Sequence, residues 1–233
     1  SAASDVYKRQ HIYGVIKGTS INHGGKTNGY TVPNPNAQSQ VITQALKDSK
    51  IDPRTISYIE AHGTGTSLGD PIEIAGLTQA FAQYTQDTQY CAIGSAKSNI
   101  GHLESAAGIA ALSKVLLQMR HQTLVPSLHS AVLNPYIDFT RTPFKVQQEV
   151  SEWRRPVITV NGQTKEYPRI AGISSFGAGG SNAHVIIEEY VEPQSEQEPT
   201  QAITSERPAL IVLSGKSDCL LYTSPSPRDV EEC

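Results

Sequence analysis

No run in this 233-residue chain approaches the roughly eighteen apolar residues that a membrane-crossing helix needs, so bilayer insertion is not expected. No N-terminal stretch joins basic residues to an apolar core, so no secretory signal is read in this piece. Basic blocks are missing too: the formal charge is −3, which gives a nucleic-acid surface little electrostatic support. Cysteine is scarce, with Cys91, Cys219 and Cys233 forming an odd set without C-x-x-C spacing. That excludes a disulfide framework and a zinc knuckle, and a reducing cytoplasm is the expected compartment. What remains is ordinary for a soluble globular protein, with 38% apolar residues and a mean hydropathy of −0.32. The length suits one domain, or one domain with a tail.

Residues 58–73, YIEAHGTGTSLGDPIE, organise the chain. The apolar run Ile56–Ile59 reads as a strand ending in a glycine-spaced turn that carries His62, Thr64 and Thr66. A helix start follows: Asp70 as N-cap, Pro71 at the first position, and Glu73 closing a capping box. The same order recurs downstream. YCAIGSA at 90–96 reads as a strand, KSNIGHLES as a polar turn with Lys97 and His102, and Glu104 to His121 as a helix. That helix is apolar or small nearly all round, which predicts burial in a larger core. Upstream, alternation from His11 to Asn22 predicts a strand, residues 22–36 a long loop, and Val41, Ile42, Ala45 and Leu46 a helix over 37–49. Residues 122–168, punctuated by Pro126, Pro135, Pro143, Pro156 and Pro168, read as an irregular surface connection. RIAGISSF and AHVIIEEY flank GAGGSN as a largely buried hairpin.

Composition sets the boundaries. Residues 1–10 lead into nothing that follows and read as a non-native end, and 11–190 form the domain. Residues 191–208, rich in Glu, Gln, Pro, Ser and Thr, are a linker. Residues 209–217 begin another region with the apolar ALIVLS, and 218–233 read as a non-native tail.

Ligands of open α/β sheets gather at the carboxyl ends of strands. In a parallel arrangement His62 would lie beside Lys97 and His102, while GAGGSN at 177–182 could present backbone N–H groups to a developing oxyanion. Two imidazoles and a lysine around one oxygen suit enolate or oxyanion stabilisation. The competing readings are structural: hydrogen-bonded histidines, a surface ammonium at Lys97, and local turn capping by Thr64 and Thr66. No metal is expected, because no H-E-x-x-H pattern, carboxylate cluster or cysteine pair accompanies the histidines. SGKS at 214–217 lacks the earlier glycine of a phosphate loop, Leu210 standing in its place.

EAHGTGTSLGDPIE, SAKSNIGHLESAAGIAAL and SSFGAGGSNAHVIIEE resemble, in order and spacing, the three signature blocks in the second half of a β-ketoacyl synthase. They are nearest to the ketosynthase domains of modular type I polyketide synthases, and the resemblance runs from about Ile12 to Tyr190. It implies an α/β thiolase-like fold of α-β-α-β-α layers, here its second half only, in a domain that forms homodimers. It also implies a reaction, decarboxylative Claisen condensation. An acyl carrier protein delivers the growing chain to a cysteine, and a malonyl unit then decarboxylates and attacks that thioester. In this reading His62 and His102 hold the malonyl thioester carbonyl and the enolate, and Lys97 sets the electrostatics around His102. Thr64 and Thr66 bind the phosphopantetheine arm, and the N–H of Ala178, with Gly179 beside it, supplies part of an oxyanion hole. No directly bound cofactor is implied, since substrates arrive on carrier phosphopantetheine.

Three points bear on activity. The family's nucleophilic cysteine belongs to the first half, and none of the cysteines here sits in its context, so the chain alone is expected to be unstable and inactive. Ala178 stands where fatty-acid enzymes often carry a gating phenylalanine, which suggests room for a bulkier chain. Ala111 stands where several relatives carry a glutamate paired with the lysine, which leaves Glu104 as the candidate partner. The alternative function is a non-elongating domain that docks or passes carrier-bound chains. Such domains often lack the histidine of the HGTGT block, and His62 is present. A thiolase-like degradative enzyme is disfavoured by the carrier-type blocks.

Overall fold

The computed structural model describes residues 11–27, 29, 32–160 and 162–192. Residues 1–10, the linker beyond Glu192, ALIVLS, SGKS, Cys219 and Cys233 lie outside that range. Ser1–Val191 is one compact unit, separate from Glu192–Cys233, and the description concerns the first.

Apolar residues alternating between two sides make the central strands line two cores at once. The elements are β1 (Gly14–His23), α1 (Pro35–Ser49), β2 (Ile56–Glu60), α2 (Gly69–Phe81), β3 (Cys91–Gly94), α3 (Lys97–Ile100) and α4 (Ala107–His121). They continue with β4 (Thr123–Leu124), β5 (Phe144–Val146), β6 (Ser151–Glu152), β7 (Val157–Val160), β8 (Gln163–Glu166), β9 (Ile170–Phe176) and β10 (Ser181–Glu189). The main sheet runs β1-β10-β9-β2-β3-β5; β4 pairs with β6 and β7 with β8 in two-stranded ribbons. β10 runs antiparallel to both of its neighbours, β1 and β9, whereas β9, β2, β3 and β5 run parallel. The expected hairpin is therefore present, and its second strand also takes up β1.

One core gathers Val41, Ile42 and Leu46 of α1 with Leu77 and Phe81 of α2 against Ile56, Ile59, Phe144 and Ile186. The other packs Ala111, Val115 and Met119 of α4 against Tyr58, Ala171, Ile173, Ile187 and Trp153. The sheet is thus covered by α1 and α2 on one side and by α4 on the other. α1 lies so close to β1 that a Cβ at Gly18 would stand 2.4 Å from the Ala45 carbonyl oxygen, so only glycine fits there. Among the described residues, no helix is long and apolar enough to cross a membrane.

Three expectations change. α2 starts at Gly69 without a side-chain cap, because Asp70 and Glu73 turn back to the preceding loop instead of closing a capping box. The helix expected from Glu104 starts at Ala107, after a 3-10 turn over Glu104–Ala106. Nor is it buried all round: Ile109 and Leu117 on its outer side are 62% and 53% exposed. Within the proline-rich 122–168 stretch, β5 and the fully buried Trp153 belong to the core, the indole N–H donating to Ser57 Oγ at 2.8 Å.

Candidate active site

β2 and β3 are adjacent and parallel, with Glu60 opposite Gly94, so the loops leaving their carboxyl ends emerge together. His62 leaves β2 and His102 follows β3; their rings stand edge-on at 5.2 Å between centroids. β9, the other neighbour of β2, ends at Phe176, whose ring lies 5.9 Å from that of His62. The half-buried His62 is thus held between an aromatic wall and a second imidazole.

The backbone of the first loop is held by two carboxylates. Glu73, buried on the first turns of α2, accepts the His62 N–H on Oε1 at 2.7 Å and the Gly63 N–H on Oε2 at 2.8 Å. Asp70 accepts the Gly65 N–H at 3.0 Å. Gly63 has a φ of +46°, and a Cβ there would meet Ser95 Cβ at 2.8 Å, so this tight turn under β3's exit requires glycine. Burial raises the Glu73 carboxyl to about 7 against the lowering effect of its two N–H bonds.

Each imidazole has its Nδ1 engaged. Lys97 Nζ lies 3.4 Å from His62 Nδ1, and an ammonium only donates, so Nδ1 accepts and the proton resides on Nε2. His102 Nδ1 accepts the backbone N–H of Glu104 at 2.9 Å, which places its proton on Nε2 as well. Glu104 reaches it by adopting a φ of +49°. Burial, then the charges of Lys97 and His102, push His62 down to about 3, so it stays neutral at physiological pH. Burial also lowers Lys97, opposed by the carboxylates of Glu73 and Glu60. The site therefore holds two imidazoles with Nδ1 engaged, and among the described residues neither Nε2–H has a hydrogen-bond partner.

Lys97, expected to act around His102, stands on His62 instead. Glu104, the candidate partner of Lys97, contributes its backbone to His102 because its left-handed turn aims the peptide, not the carboxylate, at the ring. The negative charges that act on Lys97 are those of Glu73 and Glu60. Thr64 and Thr66 are exposed on the same loop, their hydroxyls 3.3 Å apart, and Thr66 Oγ1 accepts the Gly69 N–H at 3.0 Å. In the β9–β10 turn Gly177 and Gly180 use their N–H groups on Ser181 and Gly177 carbonyls. Ala178 and Gly179 are exposed there, and among the described residues their N–H groups have no acceptor. Cys91 is fully buried in the core with its thiol pushed up by burial.

Four residues that act on this site escape sequence reasoning in that role: Glu73, Asp70, Glu60 and Phe176. Glu60 carried one signal, a charge closing the otherwise buried strand ISYIE; Phe176 read only as core.

Two family descriptions match the chain, "Beta-ketoacyl synthase, C-terminal domain" over residues 13–131 and "Ketoacyl-synthetase C-terminal extension" over residues 134–221. Polyketide synthase PksL of Bacillus subtilis (strain 168) is 68% identical over 209 residues, covering 89% of this chain and 4% of PksL. PksM of the same strain is 63% identical over 207 residues, with 89% and 5% covered. The chain thus spans a small fraction of these relatives' length. Among solved structures, the Streptomyces albus JA3453 oxazolomycin ketosynthase domain OzmH KS7 superposes with a TM-score of 0.77 at 51% identity, covering 82% of this chain and 32% of that one. The ketosynthase from module 6 of the bacillaene synthase of Bacillus subtilis 168 gives 0.74 at 44% identity, with 83% and 34% covered. The two-sided sheet is accordingly the second half of a thiolase-like fold. Signature blocks, fold and relatives agree: the chain belongs to the β-ketoacyl synthase family, as the C-terminal ketosynthase portion of a modular polyketide synthase.

Proposed function

We propose that residues 11–190 supply the decarboxylation half of a ketosynthase site that extends an acyl thioester by decarboxylative Claisen condensation. The observation that carries this is the pair of rings 5.2 Å apart, each with Nδ1 engaged and Nε2–H left to donate. A malonyl thioester carbonyl between them becomes an enolate as the C–C bond to the carboxylate breaks and CO2 departs. Donors already aimed at the developing O⁻ lower that barrier without reorganising. His62 suits the role because its Nδ1 accepts from Lys97, which fixes the ring proton on Nε2, the atom that donates. The enolate carbon then attacks the acyl thioester, and the cysteine thiolate leaves.

Thr64 and Thr66, exposed on the loop beside His62, are assigned to the phosphopantetheine arm of an acyl carrier protein. The open N–H groups of Ala178 and Gly179 are assigned to the oxyanion of the acyl thioester. The small Ala178 side chain supports a bulky substrate. The nucleophile belongs to the remainder of the domain, which acts as a homodimer, so this chain has no condensing activity by itself.

Malonyl-carrier decarboxylation by the full-length domain tests the assignment. His62→Ala and His102→Ala each lower kcat by about 100-fold or more, the usual effect of losing one oxyanion donor. Unchanged rates in both would remove the two residues from the mechanism.

A further inference from the structure

We propose that Glu60 is a positioning residue for this site: locked against Lys114 and Tyr58, it fixes the Ser95–Ala96 peptide that leads into Lys97 and thereby the Lys97 ammonium on His62. The proposal rests on the functional reading above. Glu60, the last residue of β2, is 1% exposed. A carboxylate at that depth must have its oxygens occupied. Oε2 accepts from Lys114 Nζ at 2.7 Å and from the Tyr58 hydroxyl at 2.7 Å, and Lys114 also donates to that hydroxyl at 2.8 Å. The three groups form a closed triangle.

Gly94, opposite Glu60 in the register, leaves space for it. A Cβ there would lie 3.0 Å from the Tyr58 hydroxyl and 3.6 Å from Lys114 Nζ. Oε1 points the other way, accepting the Ala96 N–H at 2.5 Å. Ala96 caps α3, whose first residue is Lys97. The Oε1 bond therefore carries the triangle to the Ser95–Ala96 peptide, one residue before Lys97.

A buried ion pair is a weak source of stability, since apolar residues of equal volume often serve as well. Stability alone therefore does not account for this one. The triangle joins the end of β2, which precedes His62, to α4, which follows His102, and holds the Lys97 loop between them. Glu60 thereby does for the Lys97 loop what Glu73 does for the His62 loop.

The test uses the full-length domain and two readouts, amide hydrogen exchange of the peptide spanning residues 95–103 and the kcat and KM of malonyl decarboxylation. Glu60→Gln/Lys114→Met removes both charges but retains an acceptor for Ala96, and it matches the parent within threefold in both readouts. Glu60→Leu/Lys114→Met removes the acceptor; exchange rises at least tenfold and kcat falls at least tenfold, with KM unchanged within twofold. Ala96→Pro breaks the bond from the other side, replacing the N–H with a ring Cδ set against Oε1 while both charges of the ion pair remain, and the Ala96 φ of −62° suits proline. It reproduces the loss, and it decides the matter if the leucine variant does not fold. Equal exchange and equal kcat in the two double variants, or parent-like behaviour of Ala96→Pro, overturns the proposal. Absence of decarboxylation in the parent domain counts against the functional reading instead, and exchange alone then decides whether Glu60 positions the loop.

Discussion

Between β9 and β10 the imidazole of His184 is fully buried, with Nδ1 3.1 Å from the Ser174 hydroxyl and Nε2 without a partner among the described residues. Burial pushes it down to about 3, whereas the unfolded chain takes up that proton near pH 6.5. Between these values the unfolded state binds more protons, so stability falls as pH falls, by about 1.4 kcal/mol per pH unit from this group. Glu73 acts in the opposite sense. Raised to about 7, it is protonated in the folded state while already ionised in the unfolded one, so its contribution is present below pH 4.5 and is lost as pH rises through 7. Urea unfolding of the full-length domain between pH 4.5 and 6.5 separates the two. His184→Gln makes the acid loss shallower than in the parent, and Glu73→Gln makes it steeper. At this scale the sequence showed which groups come together, because His62, Lys97 and His102 sit in glycine-spaced loops after strands. It did not show which atoms hold them. Lys97 could equally have faced either ring, and only the strand register decides.

A capping box and a loop brace use the same residue types, and helix α2 shows how spacing misleads. Asp70 and Glu73 have the separation of a box, yet they reach back to Gly65 and to His62 and Gly63, because the loop's bare N–H groups lie over the helix start. In α1 the local signal suffices: Asn34 Oδ1 accepts the N–H groups of Asn36 and Ala37, with Pro35 at the first position. Asn34→Ala in the full-length domain costs about 1 kcal/mol of unfolding free energy in denaturant titrations. Its kcat stays at the parent value. Asp70→Ala, which frees Gly65, changes kcat more than stability. The long strands and helices were legible because their periodicity spans many residues. β5 was not, since three residues after Pro143 carry no periodic signal and its place at the sheet edge comes from pairing with β3.

The largest apolar side chains on the outside of the molecule include Ile100, Leu103, Ile109 and Leu117, clustered in sequence on α3, the following turn and α4. A contiguous apolar surface marks a site made for contact, and dye binding tests whether these side chains form one. The chain spans 32% of a solved ketosynthase that it resembles at 51% identity. Expressed alone, the 233-residue chain is expected to bind a hydrophobic dye strongly and to show no condensation, whereas the full-length domain does the reverse. Turnover by the isolated chain would refute that expectation. The rings of His62 and His102 stand 5.2 Å apart on loops leaving neighbouring parallel strands. Neighbouring strands bring the two loops together, and the carboxylates of Glu73 and Glu60 then pin their backbones like two clasps. Insertion of a single residue in β2 would shift His62 by about 3.3 Å along the strand and onto the opposite face.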